Sequence, residues 1–187
     1  MITKIATIVE QACHQNANFF GYEIWTHHIL KVVQYAKLMA QKLNADAEIV
    51  EIAALLHDYA SIKDYKLHED HHIYGAEEAE KILKRFNYPA AKIEQVKYCI
   101  MSHRGKKVVE KKTAEAICVT DADAMAHFDS VPALFYLAFV RHNKSIDEAT
   151  TWLKHKLNRS WNKLSAEGKE IIRDKYEASQ VLLGGFD

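Results

Sequence analysis

The doublet His57-Asp58 closes the apolar run Ile49-Val50-Glu51-Ile52-Ala53-Ala54-Leu55-Leu56. An imidazole and a carboxylate are costly there unless something pairs with both. Only Glu51 is polar between Ile49 and Leu56, so the segment reads as a helix buried on most sides. Helix neighbours point about 100° apart, so one ion reaches both groups only close to the last turn. The helix dipole favours a cation at that end. A divalent metal resolves the burial cost, and coordination chemistry is the first expectation. The chain is also unusually rich in histidine, with 11.

Helical spacing indicates which other polar groups turn inward. In 24–43, His28 continues the stripe Val32, Tyr35, Met39 and Leu43, with His27 rotated off it. In 90–103, His103 ends the stripe Ile93, Val96 and Ile100. At the start of 73–86, His71 and His72 extend two neighbouring rows, and spacing does not choose between them. In 112–127, Asp121 sits within the stripe Ala114, Ile117, Cys118, Met125 and Phe128. Asp123 lies about 200° further round and is expected to point elsewhere. Asp121 is therefore the expected ligand, and losing Asp123 should be the milder change. A single histidine at a helix edge is more often an ordinary core or surface residue. His14, His68, His127, His142 and His155 read that way. The expectation rests on the set.

These groups need rods to carry them. Helical periodicity recurs almost throughout, period-two alternation nowhere persists, and glycine (6) and proline (2) are scarce. The spacing predicts helices over 3–15, 24–43, 46–58, 73–86, 90–103, 112–127, 132–141, 146–159 and 165–182, with 61–70 a polar loop. The fold class is all-α, with about eight or nine helices. The length of 187 residues suits one domain over 1–187, its site core at about 24–128 and a C-terminal helical subregion at about 131–183. Composition excludes disordered, collagen-like and disulfide-scaffold classes. Lysine plus arginine (25) equals aspartate plus glutamate (25), so no global charge draws the chain to nucleic acid or an anionic membrane. Cys13, Cys99 and Cys118 lie far apart without a CxxC pair. The first residues lack a signal-peptide core, and no apolar run approaches a membrane span. A cytoplasmic setting is expected. The stripe Ile146, Ala149, Leu153, Leu157 and Trp161, with Trp152, reads as core packing first and a subunit interface second.

In this order and these contexts the residues resemble the HD-domain superfamily of metal-dependent phosphohydrolases, over roughly 24–128. The carriers are a histidine opening a long helix (His28-Ile29-Leu30-Lys31-Val32), the His57-Asp58 doublet, and Val119-Thr120-Asp121-Ala122-Asp123-Ala124-Met125. That last stretch is similar to the family's D-A-D segment, whose first aspartate is the usual ligand. The resemblance implies an HD-domain helical bundle with His28, His57, Asp58 and Asp121 around one divalent metal. His71-His72-Ile73-Tyr74-Gly75-Ala76 resembles the H-x-x-x-G-A helix start of members with extra histidines, which favours His71 over His72. Ile100-Met101-Ser102-His103 resembles the histidine ending their next helix. No GYP follows, and the lysine expected three residues after the doublet's aspartate is absent, Lys63 standing two positions late. That argues against cyclic-dinucleotide hydrolysis. The lack of an E-D-type motif leaves alarmone hydrolysis without support.

The resemblance implies hydrolysis of a phosphate ester or anhydride, on a nucleotide or small organic phosphate. Asp58 would help orient the attacking water and would bridge a dinuclear site. His71, His72, His103 and Arg104 are the candidates for a second metal or for substrate. Lys106 and Lys107 read first as solvated cations at a helix end, and Lys63 is a weaker candidate. The mixed nitrogen and oxygen donors suit Mn, Fe, Co, Ni or Zn, with Mg admitted, as one or two ions. Two other classes stay open: a di-iron oxygenase with a similar ligand set, and an inactive metal- or nucleotide-binding regulatory module. The expected partner is a small phosphate substrate, with no membrane and no nucleic-acid polymer. A homodimer is compatible with the sequence.

Overall fold

Short polar side chains set many of the breaks between helices. Asn44 ends its helix in the left-handed region at φ 51°, where asparagine is tolerated better than most residues. Asp46 then caps the next helix, accepting from the backbone N–H of Glu48 (3.0 Å) and Ile49 (3.2 Å). The computed structural model describes residues 1–104 and 111–184. Its helices are α1 (Ile2–Cys13), α2 (Leu30–Leu43), α3 (Ala47–Leu56), α4 (Tyr59–Lys63), α5 (His71–Arg85), α6 (Ala90–Ser102), α7 (Ala114–Asp129), α8 (Val131–Tyr136), α9 (Ile146–Lys163) and α10 (Ala166–Gly184). A π turn at Trp25–Ile29 leads into α2, and another at Leu137–Arg141 follows α8. No strand occurs among the described residues, so the fold class is the expected all-α one. None of its helices is long and apolar enough to cross a membrane.

Helix α7 is the central rod. Ala116 and every residue from Cys118 to Phe128 are buried, and α2, α3, α6, α9 and α10 pack around it. Alanines at 116, 122, 124 and 126 keep its girth small enough for that many neighbours. Helix α3 is buried almost as completely. Gly75 lets α5 close on α3 and α6: a Cβ there would come 3.3 Å from the His57 carbonyl and 3.2 Å from Ile100 Cγ2. The cysteines are buried and unpaired.

The segment 61–70 departs from the loop expected of it. Tyr59, Ala60 and Ile62 are buried, so α4 forms against α1 and α5 although its sequence is too short and polar to signal a helix. A 3-10 turn, Tyr65–Asp70, follows, with Asp64 accepting from Lys66 N–H at 2.9 Å. Tertiary packing overrode local propensity there.

Candidate metal centre

Three helix boundaries repeat one local device. His57 Nδ1 meets the Ala54 carbonyl at 2.8 Å, His71 Nδ1 that of His68 at 2.7 Å, and His103 Nδ1 that of Ile100 at 2.5 Å. In each case the acceptor lies three residues upstream. A carbonyl only accepts, so Nδ1 must carry the hydrogen and the neutral ring leaves Nε2 bare. The Nε2 atoms face one another: His71 and His103 Nε2 stand 3.0 Å apart, and His57 Nε2 is 3.2 Å from that of His28.

Asp58 sits between the two pairs. Its Oδ2 is 3.4 Å from Nε2 of both His28 and His57, and its Oδ1 is 3.3 Å from His71 Nε2. Asp123 reaches in from α7, with Oδ1 3.5 Å from His28, 3.9 Å from His57 and 3.6 Å from His127. Among the described residues, three groups bring donor atoms within 4.8 Å of one another: His28, His57 and Asp58; His28, Asp123 and His127; Asp58, His71 and His103. Donors each about 2.0–2.1 Å from one cation must themselves lie roughly 3 Å apart. These spacings and the facing Nε2 atoms fit a divalent cation. The Nδ1–H bonds to carbonyls are the outer support such ligands use.

The electrostatics suit a cation at Asp58, Asp123, His103 and His127, whereas at His57 a cation would have to displace a proton. Burial works against charge on His57, but Asp58 and Asp123 prevail and lift it to about 9. Burial also opposes ionisation of Asp58 and Asp123. The neighbouring His57 and, at Asp123, the Lys163 ammonium nonetheless hold both well below the usual carboxylate range. Burial presses His103 and His127 well below the ordinary imidazole value. The acids stay charged and those two rings neutral, the states a metal requires.

Asp121 stands elsewhere, which corrects the expectation drawn from its stripe. It is fully buried and accepts from Ser165 N–H at 3.2 Å and from the Ser165 hydroxyl, with Lys111 Nζ 3.9 Å away. Ser165 Oγ in turn accepts from Gly168 N–H at 3.1 Å. Asp121 thus anchors the start of α10, while Asp123 faces the histidines. Because α7 is buried on all sides, membership of an apolar stripe says nothing about which side meets the centre. A Cβ on Gly168 would lie 2.5 Å from Asp121 Oδ2. Gly168→Ala should accordingly cost about 1–3 kcal/mol, seen as a lower melting temperature with cation content unchanged.

The structure separates the remaining candidates. His71 belongs to the cluster, whereas His72, also buried, joins none of the three groups. Arg104 lines the adjoining cavity and pairs with Glu69 (2.9 Å) and Asp70 (3.7 Å). Lys63 is bound to Glu78 at 2.6 Å, outside the cavity lining. Lys106 and Lys107 lie outside the described residues. His127, read from the sequence as ordinary, stacks on His28 with ring centroids 5.3 Å apart and meets Ser160 Oγ at 2.9 Å. Its signal was available: it lies one turn beyond Asp123 on the same face of α7. His68, His142 and Trp152 line the same cavity, of about 430 Å³, rather than serving as surface or core alone.

A helical bundle closing on paired imidazoles and carboxylates defines the class. The HD domain family model matches residues 25–127, and the chain belongs to the HD-domain superfamily of metal-dependent phosphohydrolases. Ribonuclease Y of Thermoanaerobacter pseudethanolicus is 37% identical over 107 residues, which is 57% of this chain and 19% of that protein. Ribonuclease Y of Petrotoga mobilis is 30% identical over a stretch of the same length. The chain spans about a fifth of the length of these relatives. Among solved structures, Bacillus subtilis YpgQ in complex with ADP has a TM-score of 0.70 at 21% identity, covering 97% of this chain and 94% of its own. An HD-superfamily hydrolase from Bacillus thuringiensis has a TM-score of 0.72 at 17% identity, covering 98% and 93%. These likenesses extend the shared fold through α8–α10.

Proposed function

We propose that this protein is a metal-dependent phosphohydrolase acting on a nucleotide or small organic phosphate. The observation that carries the reading is the pair of facing Nε2 contacts with Asp58 between them, opening onto a cavity large enough for a small phosphate compound. In this reading His28, His57, Asp58 and Asp123 hold one cation, and Asp58, His71 and His103 hold a second. When bound, such cations supply Lewis acidity and lower the pKa of water. Asp58 offers one carboxylate oxygen to each group, and Lys163 keeps Asp123 ionised and aimed inward. Mn, Fe, Co, Ni and Zn suit the donors better than Mg. The ADP bound to YpgQ supports a nucleotide ligand, and the ribonuclease Y relatives make RNA the polymer to include in any test. The reading takes 1–187 as one domain in a cytoplasmic setting, alone or as a homodimer.

The test is phosphate release from AMP, ADP, ATP and p-nitrophenyl phosphate, and strand cleavage of short single-stranded RNA, with each metal, with and without oxygen. Metal-dependent release without oxygen is expected. Turnover that requires iron and oxygen would make the protein an oxygenase. Tight nucleotide binding without turnover would make it a regulatory module. Cation uptake carries its own signature. His57, lifted to about 9, holds a proton at neutral pH that a cation must displace. Uptake should release about one proton in weak buffer, and affinity should rise with pH until that proton has gone.

A further inference from the structure

Helix α9 lies beyond the segment matched to the family, yet one of its faces forms a wall of the cavity. Trp152, Lys156, Arg159, Ser160 and Lys163 recur at helical spacing, and all five line it. The helix is held firmly in place. A Ser145–Glu148 capping box starts it, and Ala149, Leu153 and Leu157 are fully buried along the adjoining face. The inner end of the row touches the metal centre, because Lys163 donates to the Asp123 carboxylate and to the His103 carbonyl (3.3 Å).

The other two cations are differently placed. Among the described residues, no carboxylate lies within ion-pair distance of Lys156 or Arg159, whereas Arg104 is engaged by Glu69 and Asp70. Burial pushes the half-buried Lys156 ammonium down, and Asp123 and Asp58 draw it back. A cation held on a cavity wall without its own acid is costly until an anion arrives. From Lys163 to Lys156 the helix rises about 10 Å, more than a single phosphoryl group spans. An arginine fork and a lysine point charge together suit the oxygens of one phosphate.

We propose that Lys156 and Arg159 grip a second phosphate, next along the chain from the one at the metal centre, so that the site selects substrates with two or more linked phosphates over monophosphates. This rests on the phosphohydrolase reading only for which phosphate occupies the centre.

Calorimetric titration of uncleavable analogues tests it without turnover: methylene-bridged ADP against the phosphonate analogue of AMP, on metal-free and cation-loaded protein. The wild type should prefer the ADP analogue. Lys156→Ala and Arg159→Ala should each weaken it about tenfold, the value of one charge-assisted hydrogen bond. The AMP analogue should weaken less than about threefold, and Arg159→Lys should restore part of the loss. Melting temperatures should not fall, since Arg159 is exposed and the partly buried Lys156 has no acid of its own to lose. Equal weakening of both analogues, no weakening, or no wild-type preference overturns the proposal. If no phosphate ester is turned over but the preference depends on these two residues, the grip stands and the hydrolase reading falls. If the enzyme is active but every variant keeps one ratio of kcat/KM between AMP and ADP, the reverse holds.

Discussion

Asp123→Ala should deplete bound cation and cost at least about 10²-fold in hydrolytic rate, the scale expected when a Lewis acid is lost. Asp121→Ala should keep its cation. The two aspartates are two residues apart on α7 but serve opposite flanks of it. Asp123 Oδ1 lies within 4 Å of His28, His57 and His127, and Asp121 meets Ser165. Removing the Asp121 carboxylate leaves the Ser165 N–H without its acceptor inside the protein, a loss of about 1–3 kcal/mol. At this chain length each kcal/mol lowers the melting temperature by roughly 2–4 °C. Metal analysis and thermal melting of the two variants decide the matter. Cation loss in Asp121→Ala with retention in Asp123→Ala would reverse the assignment.

Asp58→Ala should remove the capacity for both cations, whereas His103→Ala should remove only one. Asp58 is the residue common to the group with His28 and His57 and the group with His71 and His103, and it directs a different oxygen to each. Its loss would leave four imidazoles with no carboxylate between the two pairs, and the rate should fall at least as far as in Asp123→Ala. In His103→Ala, the group formed by His28, His57 and Asp58 is untouched. Cation stoichiometry against protein concentration measures both, and two cations retained in Asp58→Ala would contradict the shared role.

Much of this architecture could be read before any coordinates. The helical period and the scarcity of glycine and proline lead to an all-α fold, and the polar interruptions of apolar stripes lead to His28, His57, Asp58 and His103. The choice between His71 and His72 needed a family pattern, because both rows continue into buried positions. The choice between Asp121 and Asp123 failed on a physical point. Stripe arguments assume one face in and one face out, and α7 has no outer face. From sequence His127 reads as a lone histidine at a helix edge, although it shares the Asp123 flank. Helix α4 was invisible because five residues carry little periodicity, and only packing against α1 and α5 holds them in a helix. Trp152 on the cavity wall of α9 reads as core from sequence because it and the buried leucines differ by less than a turn.

The carbonyls three residues upstream of His57, His71 and His103 have one more consequence. Each ring is oriented by its own stretch of backbone, so the separation of the nitrogens is set by rigid segments and cannot stretch to suit a visitor. Calcium, which seeks roughly six to eight oxygens at longer range, would meet mostly imidazole nitrogens beside two carboxylates. In the proposed reading, discrimination against the larger alkaline earths would begin at helix ends, ahead of any contact with the ion itself.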